Sequence, residues 1–501
     1  MLASRAMHKP FFAASLTLAL SVVAGGCGGH TTEGEAVLPA TDAGVEAPAP
    51  VAQTLTISEV SFNQAVKIPV FVDGLRAESS VPVIVGRPAF VRVGTKPAKG
   101  WTRKNVKATL TLKNAAGVAV TFDAKRSVGP NASTEADLSS TFNFDVPGEA
   151  LDGTSTLAVT LVPEAGGEPF ARVPEGDVFE PLLAKSSGPQ LKIVVVPVRY
   201  GADGSNRVPD TSADALAGYA NTLYSMYPTA KVEVTAHEPY DWKDATDADG
   251  TGWDSLLEAM IELRAADKAP KDVYYYGLFK PNDSFWKYCK GGCVLGLSGQ
   301  LTNPNDATGR ASIGVGYADG QSADTMAHEI GHAHGRGHAP CGGPRGVDKK
   351  FPYSDGSIGV YGFDLESKDL HDPGYYDVMG YCEPRWISDY TYKALYDRIS
   401  FVNAVKSEIG IVASPKAYRI VRVDPKGKLV WGKKLVLDTP PAGEPYELEV
   451  TTDTGTTKIT AQLYRYGDLP GGMLIIPEPT IPVRAIGVSG IVGVSRLTLG
   501  H

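Results

Sequence analysis

Histidines at positions 328, 332 and 338 constrain this chain more than any other feature of its sequence. The run Thr325-Met-Ala-His328-Glu329-Ile-Gly-His332-Ala-His-Gly335-Arg-Gly-His338 sets the first two four residues apart. On a helix that spacing projects both imidazoles from one face, where a single metal ion can take both. Ser322 is a candidate N-cap. Gly335 can adopt the left-handed conformation that ends a helix and turns the chain back, so that His338 completes a set of three. Glu329 stands next to the first ligand, placed to take a proton from a metal-bound water and hand it to a leaving amine. Three neutral imidazoles leave a zinc ion its +2 charge and one open position, the arrangement that generates hydroxide near neutral pH. His334 falls off the ligand face and reads as packed behind the ligands or facing solvent. His237 and His371 have no partner in sequence and read as satisfied core or loop histidines.

The pattern H-E-x-x-H-x-x-G-x-x-H resembles the signature of the metzincin zinc peptidases. The resemblance implies one catalytic zinc held by His328, His332 and His338, with Glu329 as the base, and a methionine turn downstream. Asp377-Val-Met379-Gly-Tyr381-Cys382 looks like that turn. Met379 would then form an apolar floor beneath the ligands without touching the metal. Tyr381 has the methionine-plus-two spacing of the tyrosine that astacin-like and serralysin-like members use as a weak zinc ligand and oxyanion donor. Val81 to Val93, His338 to Gly343 and Trp386 to Tyr392 are similar to bacterial lipoprotein metzincins related to secreted mucin-cleaving peptidases. The likeness runs from about Leu191 to Val405 and more loosely over the segment before it. No residue carries mucin specificity across, so the implied substrate is a protein or glycoprotein.

The N-terminus reads as an export signal. Arg5, His8 and Lys9 precede an apolar run from Phe11 to Ala24, shorter than the ~20 residues that span a bilayer. Ala24-Gly25-Gly26-Cys27 follows and resembles a lipoprotein lipobox, with Ala24 where leucine is usual. Residues 1–26 are therefore expected to be a lipoprotein signal peptide and Cys27 the lipidated N-terminus, an ordinary secretory signal being the alternative. Residues 27–52, rich in Gly, Ala, Pro, Thr and Glu, cannot bury enough apolar surface to order themselves and are expected to be a disordered tether. The expected location is the bacterial cell envelope, lipid-anchored at the outer membrane or cell surface. In an oxidising compartment the other four cysteines read as two disulfides. Cys289-Lys-Gly-Gly-Cys293 can fold back on itself, leaving Cys341 for Cys382; other connectivities remain open, as does a four-cysteine zinc site.

At 501 residues and 43% hydrophobic, the chain can bury several cores. Alternating segments such as Val81-Val85, Ala89-Val93, Ala108-Leu112 and Leu157-Leu161 predict an immunoglobulin-like β-sandwich over 53–187. From Leu191 the pattern becomes strand, helix, strand, helix, strand, with helices over Ser212–Tyr227 and Trp253–Ala266. This predicts an α/β catalytic domain over 188–412, built on a mixed sheet plus the active-site helix. Residues 413–501 alternate like half-exposed strands and predict a second, small β-sandwich. The acidic stretch Asp244 to Gly252 has roughly calcium-loop spacing, but Ala245 occupies an expected acidic position, so an acidic turn is preferred to a calcium site. A net charge of -8 with no basic run gives no reason to expect nucleic acid. The expected chain is a monomer. Two function classes follow: a zinc endopeptidase, and a zinc-binding surface adhesin or glycoprotein-binding lipoprotein with little turnover.

Overall fold

The structure is a computed structural model that describes residues 54–318, 321–404 and 414–499. The expected signal peptide, Cys27 and the whole of the expected tether lie outside the described residues. No described helix is long and apolar enough to cross a membrane.

Residues Leu55 to Pro181 form two antiparallel sheets. One runs through Leu55–Val72, Ala89–Pro97 and Phe142–Val146; the other orders Ala119–Val128, Lys104–Lys113, Thr156–Pro163 and Ala171–Val173. Alternation drives their packing. In Lys104–Lys113 every second residue from Val106 to Leu112 is buried, and these side chains share a core with Phe62, Val91 and Val93 of the facing sheet. Two details differ from expectation. Val81-Val85 is no strand: Ile84 makes only an isolated bridge to Lys185, and the Gln64 side chain takes up the Ile84 N–H at 2.7 Å. The first sheet is also completed from far downstream, because Gly362–Phe363 pairs with Ala65 and Val66 and with Leu370–His371. Pairing therefore crosses the 187/188 boundary.

The described residues in the middle of the chain carry five helices: α1 (Ala213–Met226), α2 (Trp253–Ala266), the single-turn α3 (Phe285–Tyr288), α4 (Gln321–Ala333) and α5 (Asp389–Ala404). Ser212 caps α1 by accepting from Ala215 N. The sheet between the helices orders Val232–Ala236, Leu191–Tyr200, Val273–Phe279 and Ala311–Val315 in parallel, and Gly296–Ser298 closes it as an antiparallel edge. Val273–Phe279 is buried throughout because both faces are covered. Tyr274 and Tyr276 face the core shared with α1 and α4, while Tyr275 and Phe279 face the core shared with α2.

Arg87, wholly buried, joins the N-terminal sheets to this layer. Its guanidinium donates to the carbonyls of Tyr227 (3.0 Å), Thr229 (2.9 Å) and Tyr224 (2.7 Å) at the end of α1. Tyr227 in turn donates its hydroxyl to Ala327 O in α4 at 2.5 Å. Trp386 makes a parallel link through Nε1 to Ala65 O at 2.7 Å.

Where a second sandwich was expected, the described strands from Lys416 to Thr498 form one seven-stranded antiparallel sheet. Val421, Leu448, Leu463, Leu474 and Ile486 fill its inner face, whereas Tyr418, Ile420, Leu435, Met473 and Ile475 pack against α2. A half-buried Arg422 pairs with the buried Asp254 and Glu258 of α2.

Candidate metal centre

Helix α4 carries Met326, Ala327, Ile330 and Ala333 into the core and turns His328, Glu329 and His332 the other way. It ends as anticipated at Gly335: φ is 86°, Arg336 N donates to Gly331 O (3.0 Å) and Gly335 N to His332 O (2.8 Å). Ser322 is not the N-cap. It lies inside the helix, and its hydroxyl accepts from Tyr317 N and donates to Tyr317 O, tying down the preceding loop.

His338 returns from the turn to meet the other two. The Nε2 atoms of His328, His332 and His338 stand 3.1–3.2 Å apart. Each Nδ1 donates to a backbone carbonyl: His328 to Val378 O, His332 to Arg336 O, His338 to Arg345 O. That fixes the tautomers, so all three Nε2 atoms present lone pairs and cannot hydrogen-bond one another. A tetrahedral ion with bonds of about 2.0–2.1 Å would hold its nitrogens about 3.3 Å apart. The donor set and its spacing therefore fit zinc. Burial, opposed by the Asp468 carboxylate and helped by the neighbouring His328 and His338, shifts His332 down to about 3, which keeps it neutral.

The methionine turn lies under the triad. Met379 is fully buried, and a Cβ on Gly331 would come within 2.4 Å of its sulfur, so the helix needs glycine there. Asp377, which sequence reasoning did not single out, pins the turn: its carboxylate accepts from Met379 N (2.8 Å) and Ser388 N (2.9 Å). Both expected disulfides are present. Cys341–Cys382 ties the third-ligand loop to the turn, and Cys289–Cys293 closes a small loop at the cavity rim.

Glu329 is buried against the edge strand, where a Cβ on Gly296 would lie 2.2 Å from Oε1. It faces a cavity of about 330 Å³ lined by Leu295, Gly296, His328, Tyr381, Arg385 and Asp468 among others. Asp468 was not foreseen. It sits on the turn between Gly455–Arg465 and Gly472–Pro477, 130 residues beyond His338. Its Oδ1 lies 3.2 Å from His338 Nε2 and 3.4 Å from His328 Nε2, and Oδ2 lies 3.6 Å from His332 Nε2. Among the described residues, His328, His332, His338 and Asp468 form the one group of three or more side chains able to share a metal. The acidic turn around Asp249 is not part of such a group; Asp249 accepts from Thr251 N. Tyr381 donates its hydroxyl to Asp468 Oδ1 at 2.5 Å and lies 3.2 Å from His338 Nε2. Burial and the Asp468 carboxylate raise its pKa. Burial and the charge of Asp468 push Glu329 well above the usual range. A lone aspartate in a glycine-rich turn carries no sequence signal separating it from ordinary turn chemistry.

His334 is buried, not at the surface: its ring stacks on Tyr274 at 4.4 Å and Nδ1 bonds Ile330 O. His371 packs on Trp386 at 4.0 Å, and His237 lies beside Asp267.

A family model described as Peptidase M66 matches residues 293–381, the stretch that holds the three histidines, Glu329 and the methionine turn. Dictomallein of Burkholderia mallei (strain SAVP1) is 25% identical over 203 residues, covering 34% of this chain and 27% of the relative; dictomallein of Burkholderia pseudomallei (strain 668) aligns to the same extent. The chain thus spans about 27% of the length of these curated relatives. Among solved structures, a chaperone-substrate complex matches with TM-score 0.23 and 12% identity over 52% of this chain and 39% of that one. A β-glucuronidase of Bacteroides uniformis matches with TM-score 0.17 and 9% identity over 45% and 29%. Neither carries an argument about the fold. The Peptidase M66 match supports a protease function.

Proposed function

We propose that the chain is a zinc-dependent endopeptidase of the metzincin kind, acting on extracellular proteins or glycoproteins from a lipid anchor at Cys27 in a bacterial envelope. The observation that carries the reading is the convergence of three lone-pair Nε2 atoms and the Glu329 carboxyl on one cavity beside a sheet edge. Zinc held by His328, His332 and His338 would supply Lewis acidity at the scissile carbonyl and bring the pKa of a bound water to about 7.

The protein's own groups do the rest. The outer edge of Gly296–Ser298, once cleared of the Arg465–Gly467 backbone that pairs with it, takes the substrate backbone as an added strand and aligns the scissile bond. Glu329, walled in by Gly296, accepts the proton of the attacking water and delivers it to the leaving nitrogen. Tyr381 is placed to donate to the carbonyl oxygen as charge develops there, once its hydroxyl is free of Asp468.

The reading is tested by incubating the zinc-loaded chain with a mixed panel of proteins and mucins and mapping new termini by mass spectrometry. New termini that vanish on chelation and return with zinc are expected from the chain or from its Asp468→Ala variant; a panel left uncut by both, with and without zinc, would contradict it. A second reading, a zinc-binding adhesin with little turnover, draws on Asp468, which stands where an open ligand position is required.

A further inference from the structure

The strand Gly296–Ser298 ends the catalytic sheet, and its outer edge is where an extended peptide would add. Part of this chain already lies there. Gly467 N donates to Ser298 O (2.9 Å), Gln300 N donates to Arg465 O (2.9 Å), and Gly299 forms an antiparallel bridge with Tyr466. Arg465 to Gly467 thus continues the edge as a substrate backbone would. Gly467 makes the approach feasible: a Cβ there would stand 2.6 Å from Cδ2 of His332. One residue further, Asp468 reaches the three imidazoles, its oxygens 3.2–3.6 Å from their Nε2 atoms. Oδ1, at 3.2 Å from His338 Nε2 and 3.4 Å from His328 Nε2, matches the spacing among the imidazoles, as a fourth tetrahedral ligand must.

We propose that Arg465–Asp468 is a built-in occupant of the substrate edge and that Asp468 is a fourth protein ligand of the metal, so that the enzyme is latent until the turn carrying Asp468 withdraws. This rests on the zinc-peptidase reading above. Asp468 holds the position a water needs, its carboxyl faces Glu329, and it engages the Tyr381 hydroxyl; one side chain blocks the nucleophile, the base and the oxyanion donor together. A structural zinc site is closed by four protein ligands, and a catalytic one keeps a position open. Withdrawal of the turn interconverts the two.

The moving part is the turn and not the whole sheet. Arg422, paired with Asp254 and Glu258, and the apolar face of Tyr418, Ile420 and Ile475 hold the sheet on α2. The turn is bounded by Gly467 on one side and by Gly471, at φ 102°, and Gly472 on the other, with Leu469 as its contact at Gly250. The edge bonds, the packing of Leu469 against the α2 core and the Asp468 contacts are what must break, while the buried Tyr466 stays as the anchor.

Acetohydroxamate tests this without any turnover, because a hydroxamate needs the position that Asp468 fills. Its affinity is read from the visible spectrum of the cobalt-substituted full chain, and zinc retention from the rate of transfer to a chelator. Asp468→Ala should bind acetohydroxamate at least tenfold tighter than the wild type and release zinc several-fold faster. Asp468→Asn, which preserves size and the bond from Tyr381, guards against a folding defect and should also bind tighter. Equal hydroxamate affinity in all three chains would overturn the proposal, since the position would already be open. Complete loss of metal from both variants would also overturn it, making Asp468 an obligatory structural ligand. Tighter hydroxamate binding together with raised peptide cleavage supports both readings. Tighter binding with no cleavage in any chain leaves the plug standing and removes the peptidase reading alone.

Discussion

Replacing Gly296 by alanine tests whether Glu329 acts from a position set by the sheet edge. A Cβ at residue 296 would fall 2.2 Å from Glu329 Oε1, 2.5 Å from Cγ and 2.6 Å from Cδ, whereas ordinary contact begins at 3.4 Å. The backbone at 296 has no positive φ and accepts alanine, so the relief must come from the neighbours. Restoring contact requires a shift of about 1.2 Å between the methyl and the carboxyl. The imidazoles are anchored separately through their Nδ1 atoms to Val378, Arg336 and Arg345, so the metal should stay. Misplacing a reacting group by about 1 Å can cost on the order of 10²-fold in rate, or about 2.7 kcal/mol of barrier. Made in the Asp468→Ala chain, whose cleft is open, Gly296→Ala should therefore keep one zinc per chain and lose about two orders of magnitude in kcat, with KM moving less. Zinc is counted by elemental analysis and turnover followed on a quenched peptide. A fall of less than threefold would refute the reasoning, as would zinc loss in step with activity.

Tyr381→Phe keeps the ring and removes the hydroxyl, and should cost about 10²- to 10³-fold in kcat with zinc retained; a loss under threefold would assign Tyr381 to holding Asp468 or to packing. Arg87→Met removes a wholly buried guanidinium and strands the carbonyls of Tyr224, Tyr227 and Thr229, so urea titration should show a loss of about 3–5 kcal/mol, and a loss under about 1 kcal/mol would mean that α1 holds its end without the clamp. Reducing Cys341–Cys382, or replacing both by serine, frees the third-ligand loop from the methionine turn and should weaken zinc affinity at least tenfold, which a competing chelator measures; unchanged affinity would show that backbone bonds such as Ala339 N to Met379 O suffice.

Much of the site was legible because its chemistry is local. Histidines at i and i+4, a glycine at the turn and a third histidine lie within one helix and its exit, where spacing decides geometry. The disulfides were readable because Cys289-Lys-Gly-Gly-Cys293 closes on itself and leaves one pairing for Cys341. Helices α1 and α2 followed from unbroken 3.6-residue patterns with clear starts. What escaped depends on contacts distant in sequence. Asp468 reaches the imidazoles only because the seven-stranded sheet docks on α2 and aims one turn at the cleft. The Gly362–Phe363 pair is too short for a periodic signal, and its register is set by Ala65 and Val66 of another sheet. Val81-Val85 reads as a strand by composition, yet Pro82 has no N–H to give and Gln64 supplies the bond that a neighbouring strand would have made. Ser322 looked like a cap because caps favour serine, but its hydroxyl is used by Tyr317.

The central claim is that Glu329 is the base and not a ligand, and one comparison tests it most directly: zinc content and peptide turnover of Glu329→Ala, measured in the wild-type chain and in the Asp468→Ala chain. Glu329 is absent from the group of metal-ligating side chains, and its carboxyl faces the cavity instead. Both Glu329→Ala chains should carry one zinc and turn over at least 10³-fold more slowly than their Glu329 parents. Turnover within tenfold of the parents, or loss of zinc with the carboxylate, would contradict the account.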